Sequence, residues 1–178
     1  MIDETVIIGH GPSLKNSGLG EYIDAFRYII RFPQVGIFRV FEDLGRRTSY
    51  YCATNRKEKL LNGFPELGYY LWSKYGGRTS VKRDNATDVS ELVHSWQERL
   101  PKGAYPFLSH GTAGICIAAS EIGKPITVLG CDSLKAGEPD PRKYHNNQRQ
   151  KKICHSFDYE RRLVDDMAKE YSVSVEFI

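Results

Sequence analysis

The stretch VIIGHGPSLKNSGLG, residues 6–20, decides how the rest of the chain is interpreted. Three β-branched residues begin it, as is typical of a buried strand, and two glycines, a proline and a serine follow. Glycine allows the backbone to approach a neighbour closely, and proline is tolerated in a first helical turn because its missing N–H is not needed there. The stretch therefore predicts a strand that passes into a helix through a glycine-rich turn.

The rest of the chain predicts an alternation of strands and helices. Strands are expected in YIIRF (28–32), TSYYCAT (48–54), ITVLGCD (126–132) and VSVEFI (173–178). Helices are expected in GLGEYIDAF (18–26), DNATDVSELVHSWQERLPKG (84–103), GTAGICIAASEIG (111–123) and HSFDYERRLVDDMAKEYS (155–172). An interrupted helix is expected in RKEKLLNGFPELGYYLW (56–72), because glycine and proline break its pattern. This alternation predicts an α/β sandwich with a mostly parallel sheet.

Composition indicates one soluble domain that spans residues 1–178. Hydrophobic residues make up 40% of the chain and charged residues 26%, as is typical of a globular protein. The net charge of +3 permits an anionic ligand but does not indicate a protein that binds nucleic acid. The start, MIDETVII, lacks the features of a signal peptide, and no apolar run reaches about 18 residues, so no membrane span is expected. The four scattered cysteines lack metal-site spacing, which favours a reduced, cytoplasmic protein.

The glycine-rich turn has two interpretations. In an open α/β sheet, ligands bind beyond the carboxyl ends of the strands, where Gly9, Gly11, Pro12 and Ser13 would offer N–H and hydroxyl groups to a phosphate. The alternative is an ordinary junction between a strand and a helix, and the spacing alone does not choose between them. The dinucleotide-binding fingerprint is excluded, because its third glycine would fall at Leu14.

Three ordered segments together resemble the sialyl motifs of family 29 sialyltransferases. VIIGHGPSLKNSGLGEYIDAFRYIIRF (6–32) is similar to the large motif, and its G-x-G-P-S-L turn also resembles that of family 42 sialyltransferases. SHGTAGICIAASEIGKPITVLGCDSL (109–134) is similar to the small motif, and HSFDYE (155–160) to the very small motif H-x-x-x-x-E. KYHNN (143–147) is a looser match to an aromatic-histidine motif.

The resemblance implies a single-domain, Rossmann-like GT-A variant that transfers sialic acid or a related sugar with inversion. The donor would be CMP-linked, the acceptor a hydroxyl of a glycan or another molecule, and neither a metal nor a cofactor would be needed. His155 would be the base, and histidine's ordinary pKa of about 6.5 suits that role at neutral pH. The implied contacts with the nucleotide sugar are Gly9, His10, Gly11, Pro12, Ser13, Arg31, Thr112, Ala113, Gly114, Tyr144, His145 and Glu160.

The chain departs from the family pattern at three positions. The asparagine of the family's first turn is His10 here, the asparagine of its R-x-N is Pro33, and the middle hydroxyl of its small motif is Ala113. In the family both asparagines touch the nucleotide. The chain resembles a minimal bacterial or phage-encoded member, which would place it in the cytoplasm of a bacterium or of a phage-infected host.

Alternatives remain open for the later motifs. Considered alone, Glu160 is a solvated helix residue and His155 a residue of the turn before the helix. The polar segment around 134–152 is expected to be a flexible lid over the donor or a solvated loop. Its twelve residues PRKYHNNQRQKK (141–152) include six basic ones, which would also suit contact with nucleic acid. The alternative functions are therefore a phage glycosyltransferase of modified DNA bases with another donor, and a nucleotide-binding protein without catalysis.

Overall fold

Seven parallel strands form one sheet in the computed structural model, which describes residues 1–32, 41–54, 67–73, 84–104, 106–134 and 157–178. Their order across the sheet is β5-β4-β3-β2-β1-β6-β7. The strands are β1 (Ile2–Ile8), β2 (Phe26–Arg31), β3 (Tyr50–Thr54), β4 (Gly68–Trp72), β5 (Ala86–Asp88), β6 (Ile126–Leu129) and β7 (Val175–Phe177). The predicted α/β fold with a parallel, Rossmann-like sheet is confirmed.

Five α-helices lie within the described ranges. They are α1 (Gly20–Asp24), α2 (Phe41–Leu44), α3 (Ser90–Gln97), α4 (His110–Ile117) and α5 (Phe157–Glu170). Helix α4 continues as a π-helical turn over Ala118–Ile122 and ends at Gly123, whose φ of 64° suits a glycine after a helix. Helix α5 has a buried apolar stripe and an otherwise polar surface, as its sequence predicts. None of these helices is both long and apolar enough to cross a membrane.

The order in which successive strands are added to the sheet changes direction at β1. Strands β2 to β5 extend the sheet on one side of β1, whereas β6 and β7 lie on the other. The register aligns Ile8, at the end of β1, with both Arg31 of β2 and Leu129 of β6. In open α/β sheets this is the point at which ligands bind, beyond the carboxyl ends of the strands.

Helices and loops cover both faces of the sheet, so its central strands are apolar on both sides. In β1 the side chains alternate, because Ile7 packs in one core while Val6 and Ile8 pack in the other. Burial of each such side chain stabilises the fold by about 1.5–3 kcal/mol. The larger core lies on the face of α3, α4 and α5 and includes Ile30, Trp72, Val93, Ile115 and Leu163.

The expectation of an interrupted helix was wrong for GYYLW, which forms β4 between β3 and β5. Tyr69 packs in one cluster and Tyr70 and Trp72 in another, on the opposite face. Aromatic residues suit a strand that is covered on both faces, and this pairing is not visible in the local sequence. Strand β5, at the edge, was likewise assigned to the helix that follows it. Residues 56–66 of the expected helix lie outside the described residues.

Candidate functional site

The two glycines of the first turn allow it to approach the loop after β6. The N–H of Gly11 donates to the carbonyl of Gly130 at 2.6 Å. A Cβ on Gly9 would lie 2.7 Å from the sulfur of Cys131 and still closer to the backbone of Gly130. A Cβ on Gly11 would lie 2.5 Å from a carboxylate oxygen of Asp132. The close contact between the two loops therefore requires glycine at both positions, whether or not a ligand binds.

The donors of Ser13 are directed at a carboxylate of the protein itself. Pro12–Leu14 forms a short 3-10 turn with proline in its first positions, as predicted. The backbone N–H of Ser13 donates to one oxygen of Asp132 at 3.1 Å, and its hydroxyl donates to the other at 2.5 Å. The two Ser13 donors that the sequence analysis assigned to a phosphate thus already bind the carboxylate of Asp132.

A fully buried carboxylate organises the amino end of α4. Ser109 precedes the helix, and its hydroxyl oxygen accepts from the N–H of Thr112 at 3.2 Å. The carboxylate of Glu160, in α5, accepts from the Ser109 N–H at 2.9 Å and from the Thr112 hydroxyl at 2.5 Å. Negative charge at the amino end of a helix is favourable. Glu160 is therefore not a solvated helix residue, and it joins the very small motif to the small motif.

The other two small-motif residues face the protein interior. Ala113 is fully buried, and so is Gly114. A Cβ on Gly114 would lie 2.6 Å from the ring of Phe32, which follows β2. Both positions therefore have to be small for α4 to pack against the sheet.

Arg31 is held by the loop that precedes β3. Its side chain is 5% exposed, and burial lowers its pKa from the ordinary value. The guanidinium donates to the carbonyl of Arg47 at 3.0–3.1 Å, to the Thr48 hydroxyl at 3.0 Å and to the carbonyl of Leu44. These contacts fix the loop, and a contact between Arg31 and the nucleotide stays a prediction.

Hydrogen bonds also join the second half of the large motif to α2 and to the loop that precedes β3. The carboxylate of Asp24 accepts from the backbone N–H groups of Arg46 and Arg47, each at 2.8 Å in its shortest contact. The carboxylate of Asp43 accepts from the N–H groups of Gly18 at 3.0 Å and Asn16 at 2.8 Å, and these bonds lower its pKa. Much of the motif thus stabilises the fold beside the candidate site.

Aromatic rings border the site at the carboxyl edge of the sheet. The ring of His110, the first residue of α4, lies 5.8 Å from that of Phe32 and 5.6 Å from that of Trp72. His10 is exposed, and its ring meets Phe32 edge-on at 6.4 Å. Burial raises the pKa of the Cys131 thiol to about 12, which disfavours its thiolate form near neutral pH.

Helix α5 also holds the loop after β6. Arg161 donates through its guanidinium to the carbonyls of Ser133 at 2.8 Å and Leu134 at 3.2 Å. Asp132, Ser133 and Leu134 form a short 3-10 turn. Since Glu160 and Arg161 are adjacent, one turn of α5 positions both the amino end of α4 and the turn that carries Asp132.

Several predicted site residues lie outside the described residues: His155, Tyr144, His145 and nearly all of the segment 134–152. Their roles stay predictions. In the described part of the chain, no group of three His, Cys, Asp or Glu side chains could hold a metal ion. Sequence reasoning missed Asp132, although its position three residues after the end of β6 puts it at the ligand-binding edge.

Comparison with known proteins agrees with the large motif and with the fold. The model of glycosyltransferase family 29 (sialyltransferase) matches residues 2–63. The structure of a mammalian sialyltransferase in complex with Gal-β-1-3GalNAc-ortho-nitrophenol is 14% identical with a TM-score of 0.59, and the match covers 98% of this chain and 69% of that one. A second mammalian sialyltransferase structure is 15% identical with a TM-score of 0.58, covering 98% and 68%.

A search of curated protein sequences finds no match. The structural likeness, at this low identity, shows the fold. The resemblance to family 29 is therefore confirmed: the chain has a sialyltransferase-like fold, and residues 2–63 match the sequence pattern of that family.

Proposed function

We propose that the chain is a glycosyltransferase that moves a sugar from a nucleotide donor to an acceptor hydroxyl, with inversion and without a metal. One observation carries the proposal. The turn at Gly9–Ser13, the amino end of α4 and Glu160 of α5 come from three separate sialyl-like motifs, and all three lie at the carboxyl edge of the sheet where β1 meets β6. Such an edge is where α/β sheets bind nucleotides.

The amino end of α4 is the proposed contact for the donor phosphate, beside the Glu160 carboxylate that already accepts from the Ser109 N–H and the Thr112 hydroxyl. Backbone dipoles give a helix partial positive charge at this end, which favours an anion and stabilises the charge that develops on a leaving phosphate. Glu160 holds this end of α4 in place through hydrogen bonds from Ser109 and Thr112. Both bonds lie within the protein and do not depend on a ligand.

His155 is the proposed base. It would accept the proton of the acceptor hydroxyl while that oxygen attacks the anomeric carbon and the bond to the phosphate breaks on the opposite side. His155 comes five residues before Glu160 in the sequence. This spacing is that of the very small motif, on which the assignment of the base rests.

CMP-linked sialic acid is the first donor to test, because the resemblance to sialyltransferases supports it. The replacements at His10 and Pro33 make a different nucleotide the second candidate, with a modified DNA base as its acceptor. The basic residues that would favour that acceptor, 141–152, lie outside the described residues. A cytoplasmic location in a bacterium or an infected host is also proposed, supported by the free thiols of Cys52 and Cys116.

The experiment that tests the proposal measures thermal stabilisation by CMP, UDP, GDP and dTMP, each with and without EDTA, followed by transfer from the matching donor. A ligand at about 100 times its Kd adds roughly 2.7 kcal/mol of stability. We expect CMP to stabilise the protein regardless of EDTA, and His155→Ala to keep this binding while transfer is lost. Stabilisation by another nucleotide would indicate another donor. Transfer by His155→Ala, or no response to any nucleotide, would contradict the proposal.

A further inference from the structure

The carboxylate of Asp132 lies against the first turn, where the sequence predicted a phosphate. Both of its oxygens accept hydrogen bonds from Ser13, and a Cβ on Gly11 would lie 2.5 Å from Oδ1. Within the described part of the chain, no lysine or arginine forms an ion pair with it. The turn therefore carries a negative charge that opposes a second anion at short range.

This carboxylate retains the capacity to bind neutral hydroxyl groups. A carboxylate has about four lone-pair sites, and Ser13 occupies two of them. Asp132 is partly exposed beside the carboxyl ends of β1 and β6, where ligands bind in open α/β sheets. Hydrogen bonds from hydroxyl groups to a charged carboxylate are stronger than those between neutral groups.

The position of the carboxylate is fixed on both sides. Ser13 binds it from the first turn, and Arg161 holds the carbonyls of Ser133 and Leu134 in the turn that carries it. A group that is already held in place loses little conformational freedom when a ligand binds. Asp132 is thus a rigid acceptor beside the candidate nucleotide site.

We infer that Asp132 is a specificity-determining residue that accepts hydrogen bonds from the ribose hydroxyls of the donor nucleotide. The inference rests on the proposed function, because it names a part of the same substrate. It changes the simplest interpretation of the first turn, which now binds the uncharged ribose instead of a phosphate.

The test compares binding of cytidine and 2′,3′-dideoxycytidine, with the uridine and guanosine pairs in parallel, by calorimetry. The wild-type protein should prefer the nucleoside with both hydroxyls by about tenfold. Asp132→Asn, which has nearly the same shape, should reduce this preference to about twofold or less. Asp165→Asn removes the same charge from an exposed position on α5 and should keep the preference.

The possible results separate the inference from the proposed function. If CMP binds but the wild-type protein does not distinguish the two nucleosides, or Asp132→Asn keeps the full preference, the inference is wrong while the function stands. If Asp132→Asn binds inorganic phosphate more tightly without a change in preference, the turn is a phosphate site and the inference is wrong. If no nucleoside or nucleotide binds, both proposals fail. Should Asp132→Asn not fold, Asp132→Ser and the wild-type preference decide the question.

Discussion

The carboxylate of Glu160 lies 2.5 Å from the hydroxyl of Thr112, and this contact joins the first turn of α5 to the first turn of α4. The same carboxylate accepts from the Ser109 N–H at 2.9 Å. Glu160 is fully buried, so removal of its side chain would take the acceptor from the Ser109 N–H and leave the Thr112 hydroxyl with its contact to the Ser109 hydroxyl at 3.0 Å. The very small motif thus contributes a structural link to the small motif, in addition to its proposed base.

Glu160→Ala should lower the free energy of unfolding by about 3 kcal/mol, because it removes two hydrogen bonds to a buried carboxylate and leaves the Ser109 N–H without its acceptor. Glu160→Gln keeps an acceptor oxygen and should lose about half as much. Urea unfolding at neutral pH measures both. The matched control is Asp165→Ala, an exposed carboxylate on the same helix, for which we expect a change within about 0.5 kcal/mol. A loss below 1 kcal/mol for Glu160→Ala would show that the link is not structural.

Gly9→Ala should destabilise the protein by about 2–3 kcal/mol without any ligand, because the new Cβ meets the backbone of Gly130 and the sulfur of Cys131. Gly114→Ala is the comparison, since its Cβ meets only side chains, foremost the ring of Phe32. Alanine also gains about 0.8–1 kcal/mol of helix propensity there, which offsets part of the clash with the ring, so we expect a smaller loss of about 1 kcal/mol. Urea unfolding distinguishes the two. If Gly9→Ala leaves stability intact, contact between the loops does not explain that glycine.

The sequence predicted the elements whose signals are local. β1, β6 and α5 have strong apolar patterns, and α4 ends where Gly123 predicts. β4 was missed because the burial of Tyr70 and Trp72 depends on strands that are distant in sequence. A helix pattern broken by glycine and proline does not contain that information.

The candidate site was predicted only in part, for the same reason. The turn chemistry of Gly9 and Gly11 identified the right edge of the sheet. The partner of Ser13 is 119 residues away along the chain, and that of Thr112 is 48 residues away. No local pattern indicates that Asp132 accepts hydrogen bonds from Ser13 or that Glu160 is buried. The resemblance to a family supplied the residues, and the fold supplies the contacts between them.

Acid should destabilise the protein through Asp43. Hydrogen bonds from Gly18 and Asn16 lower the pKa of this carboxyl below its ordinary value of 3.8. A group with a lowered pKa in the folded state stabilises the fold above its unfolded pKa, and this contribution is lost as pH falls through the folded pKa. Urea unfolding between pH 6 and pH 2.5 should therefore show a loss of stability below about pH 4 that is smaller in Asp43→Asn. An equal loss in the variant would assign the acid sensitivity to other carboxyl groups.

Arg31→Ala should separate a structural role from a contact with the nucleotide. Arg31 is buried and donates to the carbonyls of Leu44 and Arg47, so its removal leaves a cavity and takes away the bonds that hold the partly exposed loop before β3, which should lower the free energy of unfolding by about 2 kcal/mol. Arg27→Ala, on the same strand, breaks an exposed ion pair with Asp3 and should change stability by less than about 1 kcal/mol. Urea unfolding and titration with CMP are measured on both variants. Unchanged stability with lost CMP binding in Arg31→Ala would show that the guanidinium serves the ligand, whereas a destabilised protein that still binds CMP would show that it serves the loop.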